Sequence, residues 1–191
     1  MIQEEFKFYK PCKLLQAYVR YYWVFNSCQM MNTYTFPIGC PQIIFHKRTP
    51  LFVPEFGTMQ DKLTISGQVN FSSHLQADDD VEMIVVVFYP HTINMFLNNP
   101  ASSFYNQEIS GYDIEDKQLE ELAAQVFDCE DNNLCVTLIE EWLLSRLSTK
   151  PYDTTYRVNR MNAAIEKLCA APHTLVTELS STCCLGKKQF E

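Results

Sequence analysis

The first half of the chain alternates short apolar blocks with turn-forming clusters. Residues 19–26, VRYYWVFN, are dense in β-branched and aromatic side chains and predict a strand. Ahead of them, 11–17 predict a short helix packing Leu14, Leu15 and Tyr18 inward. Residues 34–37 lead into a turn around Pro37, Gly39 and Pro41, and 42–46 form the next predicted strand. Pro50 and Pro54 punctuate, and 63–69 and 83–89 read as further strands. Asp78, Asp79 and Asp80 mark a solvated turn before the most apolar of them. Many short strands separated by turn signals predict a small barrel or sandwich.

The period changes after Pro90. Residues 92–97 predict a short helix, ended by Asn98, Asn99 and Pro100, because proline disfavours helix in the residue before it. From Asp113 the spacing is helical: Leu119, Leu122, Ala123, Val126 and Phe127 share one face of a helix over 115–127. Asn132 and Asn133 break it. A second helix over 134–147 sets Leu138, Ile139, Trp142 and Leu143 on one stripe, with Glu140 and Glu141 outside. Such a pair of helices suits covering a sheet or pairing with another subunit, and periodicity does not choose between these. Residues 148–155, STKPYDTT, read as a linker. A third helix follows over 157–170, with Asp153, Thr154 and Thr155 as candidate N-caps. Pro172 ends that helix, Thr174 caps a short one over 175–181, and a break over 183–186 precedes a basic run from Lys187. The expected organisation is thus α+β: a β-rich part over 1–112, a helical hairpin over 113–150, and an all-α part over 151–191.

Composition narrows the classes. With 13% aromatic residues and five glycines in 191, low-complexity disorder is excluded. The longest strongly apolar run has seven residues, against the roughly 20 that a membrane-spanning helix needs. The start MIQEEFKFYK lacks an apolar stretch after a basic beginning, so a cytoplasmic protein is expected. The net charge of −8 is unevenly spread: residues 1–150 carry 10 basic and 19 acidic side chains, and 151–191 carry 5 and 4. The acidity therefore belongs to the long first part, and the tail is a separate electrostatic object. Cysteines stand at 12, 28, 40, 129, 135, 169, 183 and 184 without any Cys-x-x-Cys or zinc-type spacing. They read as reduced thiols used as small core hydrophobes.

No Gly-rich phosphate loop, nucleophile elbow, kinase motif or metalloprotease motif is present, so no catalytic residues are assigned and an enzyme is not expected. Tyr21, Trp23, Phe36, Phe45, His46 and Phe88 are candidate pocket residues, since aromatic walls with a few polar groups suit small ligands. Core packing accounts for most of them equally well. In a cupin-like barrel, His46, His74 and His91 raise the alternative of a small-molecule or metal-binding protein without DNA binding. The His-x-His signature of such sites is missing, and no metal or other cofactor is assigned.

Helix, short helix, brief turn and a basic start to another helix is the order of a helix-turn-helix DNA reader. The tail IEKLCAAPHTLVTELSSTCCLGKKQFE resembles the start of the DNA-binding domain of AraC-type transcription regulators. That family carries a leucine, a small residue, three variable positions, a small turn residue and a serine, followed shortly by arginine, glutamine and an apolar residue. Leu179 and Ser180 fill the first positions here, Cys184 and Gly186 stand where a small turn residue and serine are usual, and Lys188, Gln189 and Phe190 follow in register. Upstream, FPIGCPQIIF (36–45), VVVFYPHTINMFLNNPASSFYNQEISGYDI (85–114) and the pair Tyr22 and Trp23 resemble the sensor domain of one AraC-like subgroup.

The resemblance implies a transcription regulator in which 1–112 form a cupin-like sensor domain, 113–150 dimerise, and Gly186, Lys187, Lys188 and Gln189 belong to the DNA-contacting turn. Leu119, Leu122, Leu138, Ile139 and Trp142 are the candidate anchors of a homodimer interface; packing on their own sheet accounts for them equally well. Promoter DNA and a small-molecule effector are the other expected partners. The family has a second helix-turn-helix after the first, so the chain reads as a truncated form of a longer regulator that by itself is not expected to bind an operator specifically.

Overall fold

A computed structural model of the chain describes residues 4–190. It divides into two compact units, Met1–Leu147 and Ser148–Glu191. In the first unit, ten strands among the described residues form two antiparallel sheets. The larger contains β1 (Glu4–Tyr9), β2 (Val19–Ser27), β4 (Gln42–His46), β7 (Leu63–Ser66), β9 (Val81–Phe88) and β10 (Glu108–Ser110), in the order β1-β2-β9-β4-β7-β10. The smaller contains β3 (Met31–Thr35), β5 (Phe52–Val53), β6 (Thr58–Met59) and β8 (Ser73–Ala77), in the order β3-β8-β5-β6. Among the described residues each sheet keeps its own edges, so the expected barrel is corrected to an unclosed pair of sheets.

Side-chain alternation gives the larger sheet two working faces. On one, Phe25, Ile44, Met83, Val85 and Val87 join Met31, Leu51 and Ala77 in a buried cluster. On the other lie Phe45 and Phe88. Phe45 meets Phe127 of α1 (Lys117–Asp128) edge to face with ring centroids 6.5 Å apart, and Phe88 packs on Phe96 at 5.4 Å. Phe96 follows a 3-10 turn, Ile93–Met95, where 92–97 predict a helix.

The hairpin of α1 and α2 (Asn132–Ser148) is secured at both ends. Asp116 caps α1 by accepting the Leu119 amide at 3.2 Å, and the same carboxylate pairs with Arg146 on α2. Asn132 and Asn133 start α2 rather than break a helix, because Asp131 accepts the Asn133 amide at 2.8 Å. Glu140 is not merely solvated: it accepts the Cys12 amide at 2.7 Å, tying α2 to the segment after β1. Leu119, Leu122 and Ile139 are buried within this single chain, while Leu138 and Trp142 are half-buried. The expected interface anchors are therefore corrected at those first three positions to core residues.

In the second unit α3 (Tyr152–Ala170) begins five residues before the expected Arg157. Pro151, with φ −58°, suits a helix entry, and Asp153 pairs with Arg157 one turn on at 2.7 Å. Much of the expected linker is therefore helix, and the caps expected of Asp153, Thr154 and Thr155 are corrected to interior positions. Then come α4 (Val176–Thr182) and the four-residue α5 (Lys187–Phe190). The expected cap at Thr174 instead closes the preceding turn, donating its hydroxyl to the Ala171 carbonyl at 2.6 Å. Elsewhere, 11–17 form turns rather than the expected short helix. Among the described residues no helix is long and apolar enough to cross a membrane.

Candidate functional site

A cavity of about 90 Å³ lies between the two sheets of the first unit. Its apolar wall includes Trp23, Ile44, Leu51, Leu75, Met83 and Val85. Its polar wall arises from register. Ser66 on β7 stands opposite Gln42 on β4 on one side and opposite Glu108 on β10 on the other. Cross-strand partners share a face, so Gln42, Ser66 and Glu108 form one polar row, and all three line the cavity. Gln60 and Ser73, both nearly fully buried, complete it.

Behind the row runs a directional chain of hydrogen bonds. Gln60 Nε2 donates to Glu108 Oε2 at 2.8 Å, which leaves Gln60 Oε1 to face His46 Nε2, also at 2.8 Å. An amide oxygen only accepts, so Nε2 of His46 carries the proton and Nδ1 is a bare acceptor, without a partner among the described residues. Burial lowers the His46 pKa to about 4, against the opposing effects of Gln60 and Asp61, and the ring is neutral at pH 7. Burial raises the Glu108 carboxyl above its ordinary value, opposed by hydrogen bonds from Gln60 and Ser66.

The mouth is formed locally. Gly39 takes φ +65°, which turns the chain between Pro37 and Pro41, and Gln68 Nε2 donates to the Gly39 carbonyl at 2.9 Å. Phe36 and Ile38 stand exposed at this rim. Gly67 allows 101–104 to approach: a Cβ there would fall 1.6 Å from the Phe104 carbonyl oxygen.

Of the six expected pocket residues, Trp23 and Phe36 line the cavity. Tyr21 packs against the same buried cluster without lining it, and His46 stands one hydrogen bond behind Gln60. Phe45 and Phe88 lie on the opposite face and are corrected to core residues: a one-residue difference in strand parity turns a side chain through the sheet. Aromatic character alone does not carry that parity. Gln42, Gln60, Ser66 and Glu108 were missed. Polar residues confined to one parity of an otherwise apolar strand, as Gln42 and His46 share the parity of Ile44 in β4, are the signal that marks this face.

The three histidines do not converge on an ion. His46 is internal, and His74 stacks on Tyr34 at 4.4 Å on the smaller sheet, while His91 follows β9. Among the described residues no group of three or more His, Cys, Asp or Glu side chains is placed to hold a metal. All eight cysteines are free thiols.

In the second unit, α3, α4 and α5 meet at a small core in which Ala164, Leu179 and Cys183 are buried against Met161, Leu185 and Phe190. The turn between α4 and α5 contains Cys184 at φ +50°, a left-handed conformation uncommon for a side chain of this kind. Arg160 holds the turn by donating to the carbonyls of Cys183 and Cys184, the latter at 2.6 Å. Gly186, Lys187, Lys188 and Gln189 are all exposed. Gln189 folds back so that its Oε1 accepts the Gly186 amide at 3.3 Å, making it a cap of α5 in this state.

Residues 7–110 match a family described as a domain of unknown function (DUF6597). No curated protein matches the chain. Among solved structures it is similar to the AraC-like transcriptional activator CuxR, with 8% sequence identity and a TM-score of 0.41, over 88% of this chain and 68% of that one.

Proposed function

The chain belongs to the DUF6597 family, and from that premise we propose that it is a regulator-type protein acting by binding rather than catalysis. The first unit takes up a small effector between its sheets, and the second contacts DNA through the turn and helix that begin at Gly186. The observation that carries this reading is the arrangement of α3, α4 and α5: one long and two short helices about a common core, a tight left-handed turn, and two exposed lysines at the start of the last helix. Lysines so placed meet phosphate oxygens, which supply affinity without sequence selectivity. A homodimer would present two such turns at a fixed separation, and an effector would act through its different affinity for two arrangements of the protein.

The test is salt-dependent binding of the chain to duplex DNA, compared with the double variant Lys187→Glu, Lys188→Glu. The chain is expected to bind weakly, with affinity falling as salt rises. Loss of two phosphate contacts should reduce the slope of log affinity against log salt by roughly 2. An unchanged slope overturns the DNA role of these residues. A second reading, a small-molecule binder without DNA work, is favoured by the cavity and is what then stands.

A further inference from the structure

The cavity carries an asymmetry of charge. Among the described residues that line it, Glu108 is the one with an ionisable carboxyl, and none is a lysine, arginine or histidine. Its immediate partners, Gln60 and Ser66, are neutral. A carboxylate in such a place lacks a counter-charge, which is why burial holds its proton on more firmly than in water. The indole of Trp23, on β2 of the same sheet, lines the cavity several strands from Glu108, and Phe36 stands at the rim. An aromatic face attracts a cation through its quadrupole, indole most strongly. Carboxylate on one side, indole on another and aliphatic groups between them describe a recess for a positively charged nitrogen bearing a short hydrocarbon.

Resting on the reading of the first unit as an effector-binding module, we propose that the cavity between the sheets binds a compact alkylammonium ion, with Glu108 as its counter-ion and Trp23 as its aromatic wall. Size sets the class. A dry cavity of about 150 Å³ accommodates benzene, so a space of about 90 Å³ takes a molecule of fewer heavy atoms. Geometry sets the pose. The ammonium donates to the Glu108 carboxylate and to the side-chain oxygens of Gln42 and Ser66 in the same row, and its alkyl group lies against Ile44, Leu51 and Met83. Anionic molecules of the same length are excluded, because they would bring a second negative charge against Glu108. Neutral ones leave the carboxylate without a counter-charge.

The test titrates the full chain with n-butylammonium, n-butanol and butyrate at pH 7. Binding is read by calorimetry and by Trp23 emission in a Trp142→Phe background. Butylammonium is expected to bind at least tenfold more tightly than butanol, with no binding of butyrate. Glu108→Gln, with circular dichroism unchanged, should abolish the preference, and Trp23→Leu should weaken butylammonium more than butanol. Equal or tighter binding of butanol overturns the cation while leaving an effector cavity in place. A preference for butylammonium that survives Glu108→Gln also overturns the proposal, since the ion is then held elsewhere. Absence of binding by all three probes up to millimolar concentration overturns both the cation and the effector reading.

Discussion

The two units reach order by different means. In the first, Tyr22, Leu63, Ile65, Val85 and Phe88 are completely withdrawn from solvent, on both faces of one sheet. The hairpin of α1 and α2 is closed on itself by the Asp116–Arg146 carboxylate–guanidinium pair and fastened to the segment after β1 by the bond from Cys12 to Glu140. In the second, the buried cluster comprises Ala164, Leu179 and Cys183, while Tyr152, Leu175 and Val176 stand exposed. Much of its definition comes from Arg160 on two carbonyls of one turn. A deep core holds polar groups at fixed separations inside a cavity, as a binding site requires. A shallow one suits a part whose conformation is readily changed, because local opening is easiest where few apolar groups are buried.

The largest effect that tests this contrast is expected from Phe88→Ala. It removes a fully buried ring that packs on Phe96 and should destabilise the first unit by about 3–5 kcal/mol. In urea, tryptophan emission reports this unit, since both tryptophans, Trp23 and Trp142, belong to it. Its midpoint should fall while the helical signal of 152–170 keeps its own. If the two signals shift together, the units unfold as one and the contrast fails.

Acid gives the next effect. His46 has its folded pKa near 4 against 6.5 in the unfolded chain, so between these values the unfolded state binds more protons. Stability that is complete above pH 6.5 is therefore lost as pH falls toward 4, by about 3 kcal/mol in all. Glu108 acts with the opposite sign, because burial raises its pKa: its contribution is present below the unfolded value and lost as pH rises. Urea midpoints of the first unit measured from pH 7.5 to 4 in a Glu108→Gln background isolate the histidine. His46→Gln should flatten the remaining acid limb, and a limb that persists unchanged would assign the acid sensitivity to another group.

The same contrast explains what was legible beforehand. Strands dense in β-branched and aromatic residues were readable, with β4 placed at 42–46 and β9 displaced by about two residues from 83–89. Strand β1 was not, since its Phe6 and Phe8 point outward and imitate no buried pattern; nor was β8, where SHLQA holds a single large apolar side chain. The cavity was half-legible. Trp23 and Phe36 announce themselves by type, but Glu108 reaches the site only because β10 pairs with β7 in a particular register, across more than forty residues of sequence. Helix ends were misread for a related reason: Pro151 starts α3 where a polar, proline-containing stretch resembles a linker. Local chemistry is visible in a sequence, whereas the pairing that makes neighbours of Gln42, Ser66 and Glu108 belongs to the fold.

The smallest of the three effects bears on the second unit. Leu179 is the largest aliphatic side chain in its buried cluster, packed with Ala164 and Cys183. Leu179→Ala deletes most of the apolar surface that α4 contributes, but the neighbours are small or half-exposed and collapse readily around the gap. The expected loss is about 2 kcal/mol, the low end of the range for such truncations. A loss of this size is nevertheless a large part of what a shallow core supplies, so α4 and α5 should melt far below the first unit, with reduced far-ultraviolet helical signal and unchanged tryptophan emission. Affinity for DNA should fall with that signal, because the turn at Cys184 no longer holds Lys187 and Lys188 in place, while butylammonium binding should be unaffected. If the variant instead lowers the midpoint of the tryptophan signal, Leu179 supports the first unit as well, and the two parts are a single cooperative structure.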